Sequence, residues 1–198
     1  ERGYLEAGYS EARMVVDVAE RDARIRLTLV TGPRYRFGAV TFEQDVVRES
    51  LLQRYVPFEP GDPYDADELL NLRYALDDSG YFSRVDIEAR RSRAEELRIP
   101  VRVRLDPRPP HSYRFGVGFG TDTGPRVTAG YEDRRVNRRG HRLRADLTLS
   151  PVLSSLDGRY SIPTRRPATD SMALSFGVQR EEVEDRISVT DTVAVSRT

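Results

Sequence analysis

The sequence predicts an α+β module of order β-α-α-β-β followed by the N-terminal antiparallel strands of a transmembrane β-barrel. Three observations carry this prediction. A glycine-aromatic pair leading into two strand-like runs occurs twice, roughly 75 residues apart. Amphipathic helical spacing occurs between those two occurrences and not after Pro110. From Tyr113 onward, apolar and polar residues alternate with the period of two that a strand requires.

The first occurrence, Gly8-Tyr9-Ser10, leads into runs at 13–18 and 25–30, and then into Gly32-Pro33-Arg34-Tyr35-Arg36-Phe37-Gly38. The second, Gly80-Tyr81-Phe82-Ser83, leads into runs at 85–89 and 99–105, and then into Pro109-Pro110-His111-Ser112-Tyr113-Arg114-Phe115-Gly116. A period this long exceeds that of solenoid repeats and points to small domains in tandem. The division expected is 1–32 as the end of one module, 33–108 as a complete module, and 109–198 as strands of another kind. Because 1–32 would hold only the tail of a second helix and two strands, the chain is expected to be a piece of a longer protein.

Within 33–108, Tyr35 to Phe42 reads as a strand, rich in aromatic and β-branched residues. Val46 to Tyr55 reads as an amphipathic helix through Val47, Leu51, Leu52 and Tyr55. Three prolines and a glycine in Val56 to Tyr64 end it. Asp65 is the expected N-cap of a second helix, with Glu68 at capping-box spacing. Its buried stripe is predicted as Leu69, Leu72, Tyr74 and Leu76, and Gly80 as its C-terminal cap. Two strands joined by a polar turn at 92–96 complete the unit.

Beyond Pro110 six strands are expected, centred on Tyr113–Gly120, Val127–Glu132, Arg142–Leu149, Leu156–Ile162, Ser171–Gln179 and Ile187–Ser196, the last interrupted by Asp191. Such alternation suits a soluble sheet with one buried face as well as a barrel with one face in lipid. No second apolar layer is available to cover these faces, and that favours lipid. Six strands cannot close a bacterial barrel, which needs at least about eight.

Composition narrows the function. Of 198 residues none is cysteine, which excludes thiolate chemistry, disulfides and cysteine zinc sites. The 32 basic residues, all arginine, balance 32 acidic ones, so a nucleic-acid partner is not expected. His111 and His141 sit in linker and turn contexts without catalytic or metal-binding spacing. Gly116 and Gly118 lack the third glycine and following helix of a dinucleotide site. No enzyme activity, cofactor or metal is expected.

The order of elements resembles the POTRA-plus-barrel outer-membrane assembly factors. Glu59-Pro60-Gly61-Asp62-Pro63-Tyr64 and Gly80-Tyr81-Phe82 look like the loop and helix end of POTRA domains. Within that superfamily the chain resembles the TamA family of translocation-and-assembly subunits, through residues 116–126 (GVGFGTDTGPR), 137–141 (NRRGH) and 159–163 (RYSIP). The resemblance implies three POTRA domains before a sixteen-stranded barrel. It also implies a bacterial outer-membrane location with periplasmic POTRA domains, a TamB-like periplasmic partner, unfolded outer-membrane protein clients such as autotransporters, and contact with outer-membrane lipid. A general barrel-assembly factor, a two-partner secretion pore, or a soluble β-rich periplasmic binding module are the alternatives.

Two candidate sites follow. Arg84, Val85, Asp86, Ile87, Glu88, Ala89, Arg90 and Arg91 form the candidate POTRA edge strand, to which an extended client can add. Guarding charges on a solvated edge would give the same sequence. Tyr113, Phe115, Gly116, Val117, Gly118, Phe119 and Gly120 form the candidate seam strand, which the resemblance implies is the first of the barrel. Three glycines on one face weaken its pairing, although they would equally make room in a crowded lumen.

Overall fold

The computed structural model describes residues 8–17, 22–30, 32–121, 124–183 and 186–197. The helix tail expected before Gly8 and the end of the predicted run at Val18 lie outside them.

Strands β1 (Gly8–Asp17) and β2 (Asp22–Val30) form an antiparallel hairpin whose register shifts between Tyr9 and Glu11. The complete module follows as β3 (Arg36–Glu43), α1 (Glu49–Leu52), α2 (Ala66–Asp78), β4 (Phe82–Ala89) and β5 (Arg98–Pro107), with sheet order β3-β5-β4. The predicted helix at 46–55 shrinks to α1 and a 3₁₀ turn, Gln53–Tyr55. The Gln44 side chain explains the loss. Its Oε1 accepts from the backbone N–H groups of Val46 (2.8 Å) and Val47 (3.0 Å), and its Nε2 donates to the Val47 carbonyl, so this stretch turns before it winds.

In α2, Asp65 Oδ1 accepts the Asp67 N–H at 3.0 Å, as an N-cap should. Glu68 instead accepts from Asn71. Leu72 and Leu76 are buried and Leu69 is half-buried, but Tyr74 is 62% exposed. Positions 69, 72 and 76 share one face; residue 74 stands about 200° of helix rotation from 72, so it never belonged to the stripe. Gly80 takes φ 75° and ends the helix.

The remaining strands are β6 (His111–Gly120), β7 (Gly124–Asp133), β8 (Arg142–Leu149), β9 (Leu153–Pro163), β10 (Ser171–Val183) and β11 (Arg186–Arg197). They form one antiparallel sheet in the order β11-β10-β9-β8-β7-β6. Their register sorts most side chains by polarity, with Asp191 an exception on the apolar face. One cross-strand row reads Phe115, Ala129, Leu147, Leu156, Val178, Asp191, and the next Tyr113, Tyr131, Ala145, Gly158, Phe176, Val193. The opposite face carries Arg114, Gly130, Asp146, Asp157, Gly177 and Thr192. Among the described residues nothing covers the apolar face: Phe115 is 83% exposed, Val117 88% and Val193 78%. A soluble sheet would bury this face against a second layer.

Two compact units divide the chain. One holds Glu1–Thr41, Pro57–Asn71 and Ile87–Val103; the other holds Phe42–Val56, Leu72–Asp86 and Arg104–Thr198. In the first, Phe37 stacks on Phe58 with ring centroids 3.7 Å apart, and Ile99, Val101 and Val103 are buried. In the second, Leu51, Leu52, Leu72, Leu76, Tyr81 and Phe82 are buried together with the 3₁₀-turn residue Tyr55.

Candidate functional site

The edges of the two sheets are the natural places to begin, because an edge strand offers unpaired N–H and C=O groups. In the small sheet, β3 does not expose its outer side. Residues of the Glu59–Tyr64 loop pair with it: Phe37 N–H donates to the Asp62 carbonyl (2.8 Å), Gly61 N–H to the Phe37 carbonyl (2.8 Å), and Tyr64 N–H to the Tyr35 carbonyl (3.1 Å). Gly61, at φ 103°, makes this return possible. Asp62 fixes the loop by accepting the Glu59 N–H. The loop therefore seals one edge, and among the described residues β4 is the edge left open.

That edge contains the predicted residues Arg84 to Ala89. Arg90 and Arg91 fall beyond it, because β4 ends at Ala89 and a 3₁₀ turn starts at Arg91. Val85 points into the interior while Arg84 and Asp86 are exposed; Glu88 pairs with Arg90.

The predicted seam residues all lie on β6, at the end of the six-stranded sheet. Tyr113, Phe115, Val117 and Phe119 project from the apolar face, and Gly116, Gly118 and Gly120 from the polar one. A Cβ on Gly118 would meet nothing within 4 Å, whereas one on Gly116 would come within 2.7 Å of Thr128 Oγ1. Crowding thus explains Gly116 but not Gly118, which lacks a side chain where one would fit.

Behind β6 the polar face holds a brace that needs three strands in register. Arg114 on β6 reaches over Gly130 on β7 to Asp146 on β8, with Nη2 at 2.8 Å from Oδ1. Arg144 Nε donates to the other oxygen at 2.7 Å. A Cβ on Gly130 would stand 3.0 Å from both the Arg114 guanidinium and Asp146 Oδ1, so the glycine is what clears the path.

The connections at the two ends of this sheet differ. Residues 150–152 join strands at one end, and the longer segments 134–141 and 164–170 at the other. Both long segments bond to the module that precedes the sheet. Tyr81 Oη donates to the Gly140 carbonyl at 2.6 Å, Arg48 N–H to the Arg138 carbonyl at 2.9 Å, Arg138 Nη2 to the Asp45 carbonyl, and Arg54 Nη1 to the Thr164 carbonyl at 2.8 Å. Burial pushes the Tyr81 and Tyr55 phenols up, so both stay neutral donors. The Arg138-Arg139 turn takes part in this junction through the Arg138 carbonyl and guanidinium. At the same end both histidines find tyrosines: His111 Nδ1 lies 3.0 Å from Tyr131 Oη, and His141 Nδ1 lies 2.7 Å from Tyr160 Oη. With Tyr113, these form a band of amphipathic rings at the rim of the apolar face, as at a membrane–water interface. Among the described residues, no group of three or more His, Asp or Glu side chains could hold a metal ion.

Residues 35–108 match the family model of the POTRA domain, described as "surface antigen variable number repeat". Among solved structures, the chain is similar to BamA from Haemophilus ducreyi lacking POTRA domains 1–3, at a TM-score of 0.70 and 18% identity. It is also similar to CdiB from Acinetobacter baumannii (TM-score 0.60, 12% identity) and CdiB from Escherichia coli (0.61, 13%). These alignments take in 99%, 98% and 98% of this chain, but only 38%, 38% and 37% of the solved chains, so the chain spans less than two fifths of their length. Residues 35–108 are a POTRA domain, and the sheet that follows has the fold of barrel strands of the BamA type.

Proposed function

We propose that the chain is part of an outer-membrane assembly and translocation factor of the TamA type, which promotes insertion of autotransporter-type β-barrel proteins without covalent chemistry. The observation that supports this most is β6: a glycine-weakened strand at the end of a sheet whose one face is apolar and uncovered. Such a strand can part from its neighbour at low cost and offer its backbone to an incoming client strand. The open β4 edge of the POTRA domain supplies an earlier docking place in the periplasm, for a client or for a TamB-like partner. Residues 1–32 act as the end of a preceding POTRA domain and 109–198 as the start of the barrel.

The same two elements would serve a general barrel-assembly factor or a two-partner secretion pore, and the likeness to both BamA and CdiB favours keeping that second reading.

The test uses the full-length protein in its own membrane, with a photoreactive side chain at Phe119 or Asp86. Adducts to nascent autotransporter barrels at both positions are expected, and a strain lacking the protein should lose autotransporters while retaining other barrels. Loss of all outer-membrane barrels would replace the proposal with the general-assembly reading, and absence of client adducts at Phe119 would remove the seam.

A further inference from the structure

At the junction between the POTRA domain and the strand turns lies a cavity of about 270 Å³ bounded by Arg48, Arg54, Arg139, His141, Leu51 and Pro163. No carboxylate lines it, and none of its three arginines is ion-paired among the described residues. Arg54 spends two of its five donors, on the Ser50 and Thr164 carbonyls, and those bonds hold it in place. Arg48 and Arg139 are held by their backbones, through Arg138 and the Asn137 side chain, which leaves both guanidiniums free to take a ligand.

The cavity also has an oily side. His141 directly precedes β8 with the parity of Leu143, Ala145 and Leu147, and its ring meets Tyr160 edge-on at 5.5 Å. Tyr160 belongs to the apolar-face row with Leu143 and Leu174. Burial and the neighbouring Arg139 lower the His141 pKa, so at neutral pH it presents an uncharged ring. Cations therefore converge at the rim where the apolar face ends, beside neutral amphipathic rings. This is the depth at which phospholipid phosphates stand against a barrel.

We infer that Arg48, Arg54 and Arg139 bind the phosphodiester headgroup of a phospholipid in the leaflet nearest the POTRA domain, clamping that domain against the membrane surface. Guanidinium forks match phosphate oxygens two at a time, and the half-wet rim strengthens each contact. The inference rests on the barrel reading above.

The experiment uses full-length protein in detergent micelles, titrated with phosphatidylglycerol and read by native mass spectrometry as lipid retained per protein. The double variant Arg48→Gln/Arg139→Gln alters neither guanidinium's folding contacts, since none exist among the described residues. It should lower the tightest lipid's affinity at least about tenfold, while the shift in gel migration on heating that marks a folded barrel persists. Equal retention in variant and wild type overturns the site, as does displacement of the lipid by an equal concentration of inorganic phosphate. A wild-type protein that migrates identically heated and unheated overturns the barrel reading instead, and the gel tells the two failures apart.

Discussion

Gly140 shows how much can depend on one missing side chain. It takes φ 78°, and a Cβ there would stand 2.6 Å from both Leu51 Cδ2 and Tyr81 Oη. Gly140→Ala should therefore cost roughly 2 kcal/mol or more, from left-handed strain plus overlap, read as a lower midpoint for heat unfolding of the full-length protein. Tyr81→Phe removes the hydroxyl that donates to the same carbonyl and should cost about 1–2 kcal/mol; an unchanged midpoint would show that water replaces it freely. Asp191 is the opposite case, an excess of polarity. It sits opposite Val178 and between Val189 and Val193 on the apolar face. If that face meets hydrocarbon, Asp191→Val should stabilise the folded barrel by about 1–2 kcal/mol in lipid vesicles, and a loss on substitution would mean that a protein partner answers its charge. None of these roles can be read from residue type alone. The sequence marks Asp191 as an interruption, but which neighbours it interrupts depends on register.

For whole elements the sequence is more legible where the signal is local. All six alternating runs are strands, because side-chain parity is a property of each strand alone and survives without knowledge of its neighbours. The first helix is misjudged because Gln44 Nε2 takes the Val47 carbonyl that would have accepted the Leu51 N–H, and Arg48 stays extended at ψ 137°. The sealed edge of β3 and the brace through Gly130 were also out of reach, since each joins segments distant in sequence. Strand β6 gives a sharper test than any of these. Gly118 has open space around it, so Gly118→Val adds strand preference of up to about 1 kcal/mol without a clash. Under the proposed function the barrel should fold normally and client insertion should slow; a variant that inserts clients at the wild-type rate would show that seam weakness is not limiting. The connections at 134–141 and 164–170 bond to Arg48, Arg54 and Tyr81 of the preceding module, which no local sequence signal announces.

For the whole molecule, the junction carries a pH dependence. His141 is held below its ordinary value near 6.5 by burial and by Arg139, so the folded state prefers it neutral. The unfolded chain binds that proton first as the solution is acidified. The stabilising contribution is thus complete above about pH 6.5 and is lost as pH falls through the folded value. Heat-unfolding midpoints of the full-length protein should drop between pH 7.5 and 5.5, and His141→Gln should flatten that slope. An equally steep slope in the variant would assign the effect elsewhere.

The reach of Arg114 across Gly130 bears on how such a wall could part. The guanidinium ties the terminal ribbon to its second neighbour, in addition to the ladder that joins it to the first. Both partners are nearly half exposed, so this tie adds only about 0–1 kcal/mol to the parting of the terminal ribbon. Peeling a single ribbon first requires Asp146 to exchange Arg114 for water.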